Sequence, residues 1–156
     1  MTIAILAHDS RKELALQFCT AYSGILSRNT VIATGTTGRM LAQATGLPVH
    51  CYLSGKLGGI QQISARVACD EVDLVLFFRD PLKAENGSSE QNLLRLCDMH
   101  SVPISTNIAT AEVLLRGLDQ GAVPLGRRGS TGGPHCPQGI GYAPNQGLVR
   151  SGMGSI

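Results

Sequence analysis

The sequence predicts an α/β fold: a single three-layer domain around a five-stranded, mainly parallel, twisted sheet, followed by a Gly/Pro-rich C-terminal tail. Short apolar runs alternate with segments of helical period, the pattern of right-handed β-α-β crossovers. The runs are continuously apolar, as strands covered on both faces must be. Past about Arg116 the periodicity ends, and residues 117–156 hold eleven of the nineteen glycines and four of the seven prolines. This places a folded domain at 1–116 and a low-order tail at 117–156.

The elements follow in order. Thr2 to Ala7 (TIAILA) is the first strand. From Arg11 the period changes, with Leu14, Phe18, Ala21 and Ile25 on one helical face and Asp9 or Ser10 available as a cap. Thr30–Thr34 is the second strand, and the helix after it ends near Thr45, where Gly46 and Pro48 stop it. Val49–Leu53 is the third strand, Ser54–Gly59 a glycine-rich loop, and Gln61–Cys69 a helix with Ile63 and Val67 on one face. Leu74–Phe78, the most apolar run, is expected at the centre of the sheet. Lys83–Glu90 reads as a polar connection, with a helix following through Leu93, Leu94, Leu96 and Cys97. Val102–Ser105 is the fifth strand, and Ala109–Leu115 opens a last helix after Thr106-Asn107. The architecture is Rossmann-like or flavodoxin-like.

Composition narrows the function. With 156 residues, 43% hydrophobic and 15% charged, the chain can bury one real core. A net charge of +2 argues against a nucleic-acid or membrane surface. No window approaches a membrane span and the start lacks a signal peptide's features, so the expected location is cytoplasmic. Five cysteines form no CxxC pair, which points to buried free thiols, and the absence of a second ligand pair beside His135-Cys136 argues against zinc.

In a parallel sheet, ligands meet the carboxyl ends of the strands. Ala33-Thr34-Gly35-Thr36-Thr37-Gly38 lies on such a strand-to-helix turn, where Thr34, Gly35, Thr36 and Thr37 offer hydroxyls and amides at the positive end of a helix dipole. That arrangement suits a phosphate. The plainer alternative is a turn with Thr37 as the N-cap. Lys12, in the first turn of its helix, is a point-charge partner for a phosphate or an ordinary exposed lysine. His8 ends the first strand, where an imidazole can hydrogen-bond a carbonyl or move a proton near neutral pH. Asp9 and Asp80 are candidate catalytic carboxylates, or else a helix cap and an Asp-Pro turn respectively. Ser54 and Gly55 add a hydroxyl and an amide to the same anion. The partner these residues suit is a small phosphorylated metabolite.

Taken together, these motifs resemble methylglyoxal synthase. The likeness is carried by Ala7-His8-Asp9 with Lys12, the Ala33–Gly38 turn, Leu53-Ser54-Gly55 with Gly58-Gly59 and Gln61-Gln62, Phe77–Leu82, Leu93–Leu96 and Thr106–Ala111, spanning residues 2 to about 116. The resemblance implies a lyase that eliminates phosphate from dihydroxyacetone phosphate to give methylglyoxal, with no metal and no organic cofactor, assembled as a homohexamer. It implies that His8, Lys12, Thr34, Gly35, Thr36, Thr37, Ser54 and Gly55 hold the substrate, with Asp9 and Asp80 matching carboxylates near the site. Two departures stand out. The family's catalytic aspartate, between the paired glycines and paired glutamines, is Ile60 here, and an isoleucine cannot accept a proton. The family's histidine after the Asp-Pro-Leu turn, and the aspartate after it, have no match in Glu85–Ser89. A retained binding site with weakened catalysis is the expectation; a non-catalytic regulatory or sensor domain that binds a phosphometabolite is the alternative.

Overall fold

The computed structural model describes residues 1–83 and 87–122. Five strands, β1 (Thr2–Ala7), β2 (Thr30–Ala33), β3 (Val49–Cys51), β4 (Leu74–Phe78) and β5 (Ile104–Ser105), form one sheet in the order β3-β2-β1-β4-β5. Every pairing is parallel, with Ile3 opposite both Val31 and Leu74 in the central register. The most apolar run is therefore not the central strand. β1 holds the middle and β4 lies beside it, because the third crossover carries the chain back past β1 to its other edge.

Alternate side chains of each strand feed two separate cores, since successive residues of a strand face opposite ways. Ile3, Ile5, Leu74, Leu76 and Phe78 meet Ala15, Phe18 and Cys19 of helix α1 (Lys12–Ala21), Leu26 of the short α2 (Ser23–Leu26), Leu41 of α3 (Gly35–Thr45), and Ala111 and Leu115 of α6 (Ile108–Asp119). On the other face Ala4, Leu6, Ile32, Val75 and Phe77 meet Ile63 and Val67 of α4 (Gly59–Ala68) and Leu93 and Cys97 of α5 (Ser88–Met99). These are the three expected layers. Each fully buried aliphatic or phenyl side chain stabilises by about 1.5–3 kcal/mol, so both faces are needed.

The element edges differ from the sequence reading in instructive ways. β2 and β3 end one or more residues early, because strand pairing stops where the chain turns toward the next helix, and β5 begins at Ile104 rather than Val102. Neither Asp9 nor Ser10 caps α1 with its side chain; a 3-10 turn over Asp9–Arg11 leads into it, with His8 at the capping position. Thr34, not Thr37, occupies the N-cap of α3, and Gly46 ends that helix at φ 70°. α4 begins at Gly59 rather than Gln61, placing Ile60 in its first turn. α5 begins at Ser88, so Glu90 is a helical, buried residue instead of part of a connection. α6 is capped by the Asn107 side chain, which accepts the Thr110 N–H at 3.0 Å, and runs on to Asp119, three residues past the expected boundary at 116. Leu118 packs against the first core, which is why the helix continues. The tail expected at 117–156 otherwise lies outside the described residues beyond Ala122. Cys19 and Cys97 are buried free thiols as expected, whereas Cys51 is free but exposed. Among the described residues no helix is long and apolar enough to cross a membrane.

Candidate functional site

All five strands point their carboxyl ends the same way, and the strand order reverses between β1 and β4. A crevice opens at such a switch point because the helices on either side leave for opposite faces. Here it is a cavity of about 470 Å³ lined by the ends of β1 (Leu6, Ala7, His8) and β4 (Phe77) and by the starts of the helices around them.

One wall is built for an anion. Thr34, Thr36 and Thr37 line it at the N-terminus of α3. The first intrahelical bond of that helix is Gly38 N–H to Thr34 O at 2.7 Å, so the amides of Thr36 and Thr37 precede the helical ladder. Thr37 is buried and its Oγ1 has no hydrogen-bond partner, which leaves a hydroxyl available to a ligand oxygen. Gly35 does not line the cavity. Its N–H donates to Leu53 O at 3.1 Å, and a Cβ there would stand 2.7 Å from Tyr52 O, so its smallness is what lets α3 dock against the β3 loop. Ser54 and Gly55 of that loop line the same cavity as the threonines.

Lysines complete this wall. Lys12 Nζ lies 2.7 Å from Asp9 Oδ1, and Lys56 Nζ is 3.4 Å from Asp9 Oδ2. The hydrogen bond and charge of Lys12, then those of Lys56, hold the Asp9 carboxyl below its ordinary range. Asp9 thus acts as counter-ion to two cations that also line the cavity, an arrangement an incoming phosphate can enter by displacement. Lys56 and Lys83 were not singled out in the sequence, and exposed loop lysines carry no local signal that would single them out.

The rest of the lining is largely apolar with one buried carboxylate. Leu6, Ile60 and Phe77 line the cavity, as does Glu90, reached across 82 residues of sequence by His8. The His8 ring stands edge-on to Phe77, with centroids 5.3 Å apart. Its Nδ1 accepts the Asp80 backbone N–H at 2.8 Å, so Nδ1 must present a lone pair. The proton of the neutral ring is therefore on Nε2, which donates to Glu90 Oε1 at 2.6 Å. Glu90 Oε2 has no hydrogen-bond partner; Arg79 Nη2 stands 3.6 Å away, with its guanidinium over the Phe77 ring at 5.8 Å.

Asp80 does not line the cavity. Its carboxylate accepts the Ser10 hydroxyl at 2.6 Å and the Leu82 N–H at 2.9 Å, and these bonds hold its pKa below the ordinary range. The structure thus brings together His8, Asp9, Lys12, Thr34, Thr36, Thr37, Ser54 and Gly55, and leaves Gly35 and Asp80 as supports behind them. The addition that sequence reasoning placed in a loop is Glu90.

Known proteins resemble this chain in sequence and in fold. The family model described as the MGS-like domain matches residues 15–106. Methylglyoxal synthase from Caldicellulosiruptor saccharolyticus is 55% identical over 122 residues, covering 78% of this chain and 86% of the relative. Methylglyoxal synthase from a Thermoanaerobacter species is 52% identical over 78% of this chain and 92% of the relative. Among solved structures, methylglyoxal synthase from Elizabethkingia anophelis superposes with a TM-score of 0.67 at 34% identity, over 73% of this chain and 76% of that one.

Proposed function

Because the chain belongs to the methylglyoxal synthase family, we propose that its cavity binds dihydroxyacetone phosphate and eliminates phosphate from it slowly, yielding methylglyoxal. The observation that carries the proposal is the anion wall: an unspent, buried Thr37 hydroxyl in one cavity with Lys12, Ser54 and Gly55. A phosphate there gains charge-assisted bonds from one lysine and the end of a helix, and the three-carbon skeleton reaches the apolar wall beyond. On this reading residues 1–116 carry the activity, in the cytoplasm and as a homohexamer of the kind the resemblance implies.

The slowness follows from Ile60. Elimination starts by removing a proton from the carbon next to a carbonyl, and general-base help is worth on the order of 10²–10⁴-fold. Titrating the protein with dihydroxyacetone phosphate, with inorganic phosphate as competitor, is expected to show binding that Lys12→Met weakens strongly. Ile60→Asp is expected to raise methylglyoxal formation by on the order of 10²-fold or more. No binding at any concentration defeats the proposal; no rise on Ile60→Asp defeats the account of its slowness. Ile60 also favours a second reading, a non-catalytic sensor of the same metabolite, and binding without turnover selects it.

A further inference from the structure

Within that triose phosphate reading, we infer that Glu90, positioned by His8, is the proton acceptor of this chain, doing from α5 the work that Ile60 cannot do from α4. Among the described residues two carboxylates line the cavity, Asp9 and Glu90. Asp9 is committed to Lys12 and Lys56 on the anion wall, so a proton on it must first displace two cations. Asp80 lies outside the cavity with both oxygens engaged.

Glu90 is held more loosely, its one cation, Arg79, standing 3.6 Å from Oε2 where Lys12 stands 2.7 Å from Asp9. It is 9% exposed, lines the same cavity as Ile60, and has one oxygen held by His8 while the other accepts no hydrogen bond. A buried carboxylate oxygen that accepts no hydrogen bond and has only a guanidinium 3.6 Å away is costly in a purely structural role, because that contact offsets only part of its desolvation. His8 aims it: the Asp80 amide fixes the ring's lone pair on Nδ1, so Nε2–H always points at Glu90 Oε1. The ring is thus a positioning residue for the carboxylate.

The step balances without a co-reactant. The Glu90 carboxylate takes the proton from the hydroxymethyl carbon, the C–H pair becomes the C=C bond of an enediolate, and the carbonyl π pair moves onto its oxygen. The enediolate collapses as the carbon–oxygen bond to phosphate breaks; the hydroxyl proton leaves with the phosphate, and the proton held by Glu90 returns to the three-carbon enol. Methylglyoxal and inorganic phosphate are the products, and the carboxylate is regenerated.

The test uses the full chain with three readouts: affinity for dihydroxyacetone phosphate, methylglyoxal release, and exchange of the substrate's carbon-bound hydrogen with deuterated water followed by NMR. Glu90→Gln is expected to keep affinity within a few-fold while cutting both release and exchange by on the order of 10²–10⁴-fold. Ile60→Asp added to Glu90→Gln is expected to restore turnover, which a merely unfolded variant cannot do. Should Glu90→Gln not fold, Glu90→Asp carries the test, because withdrawing the carboxylate by one methylene is expected to lower kcat by about a hundredfold at nearly constant KM. Unchanged exchange and release in these variants overturn the assignment. So does a wild type that binds substrate yet neither exchanges nor releases product, while binding itself survives; absence of binding removes the triose phosphate reading and the assignment together.

Discussion

His8 takes its position from two contacts far away in sequence, the Asp80 amide and the Glu90 carboxylate. A reading along the chain finds the histidine at the end of a strand but not its partners, because hydrogen bonds between residues 72 and 82 positions apart leave no local spacing. Asp9 and Lys12 are the opposite case: each was legible as a charge at that edge, and they pair one helical turn apart. That pair has a definite pH signature. The Asp9 carboxyl is held below its ordinary value of 3.8, so the charged form is favoured in the folded state. Its contribution to stability is complete above the unfolded value and is lost as pH falls through the lower folded one. The side chain is 53% exposed, so solvent screening limits the effect to within about 1 kcal/mol. Asp9→Asn is expected to lower stability by that amount at pH 7, less so in high salt, and the difference is expected to shrink as pH falls progressively below 3.8. Denaturant melts over a series of pH values measure this, and a difference that does not shrink on acidification contradicts the pairing.

The elements carry most of what the sequence made plain. β1, β4 and the turn into α3 are readable because continuous apolar runs abut threonine and glycine; the starts of α4 and α5 are not. The glycine pair before Ile60 looks like a loop, yet Gly58 adopts φ 102° and Gly59 opens the helix, with its N–H on Ser54 O at 2.9 Å. The reason for glycine at 59 is space, since a Cβ would come 1.9 Å from Leu53 O. Because backbone is in the way, Gly59→Ala is expected to cost about 3 kcal/mol or more, the upper end of overpacking penalties, and no side-chain change should relieve it. Gly38 presents the contrast: a Cβ there meets a side-chain atom first, Cys51 Sγ at 2.6 Å, with Ala33 Cβ and Val49 Cγ1 at 3.3 and 3.4 Å. Gly38→Ala is expected to cost less in a Cys51→Ala background than in the wild type, because the closest clash is gone and alanine gains up to about 1 kcal/mol in a helix. Thermal melts of the four variants read the difference. Rescue of Gly59→Ala by any neighbouring side-chain truncation, or failure of the Gly38 pair, contradicts the steric assignment.

At the scale of the whole molecule, three layers and parallel strands were legible from periodicity, but strand order was not. Nothing local marks β4 as the strand that crosses β1 to found the second half, although that crossing creates the cavity. The same topology ties the two cores together. Ile5 and Leu6 are neighbours in one strand yet belong to opposite cores, so neither face can loosen alone without disturbing shared backbone. Two thiols report on this, Cys19 in one core and Cys97 in the other. Burial pushes each up to about 12, with the Asp98 charge adding to the rise at Cys97, so at neutral pH neither presents the reactive thiolate while folded. Undocking α5 alone would strip cover from Leu93, Phe77 and Val75 at about 1.5–3 kcal/mol each. It would also free Glu90 from His8, a total comparable to the 5–15 kcal/mol that holds a whole domain together. Peptide-resolved thiol labelling across a denaturant series is therefore expected to modify Cys51 at once, and Cys19 and Cys97 together, with the same free energy and denaturant slope. Faster labelling of Cys97 with a shallower slope would mean that the layer bearing Glu90 opens by itself, and the wall of the cavity would then be a separately unfolding unit.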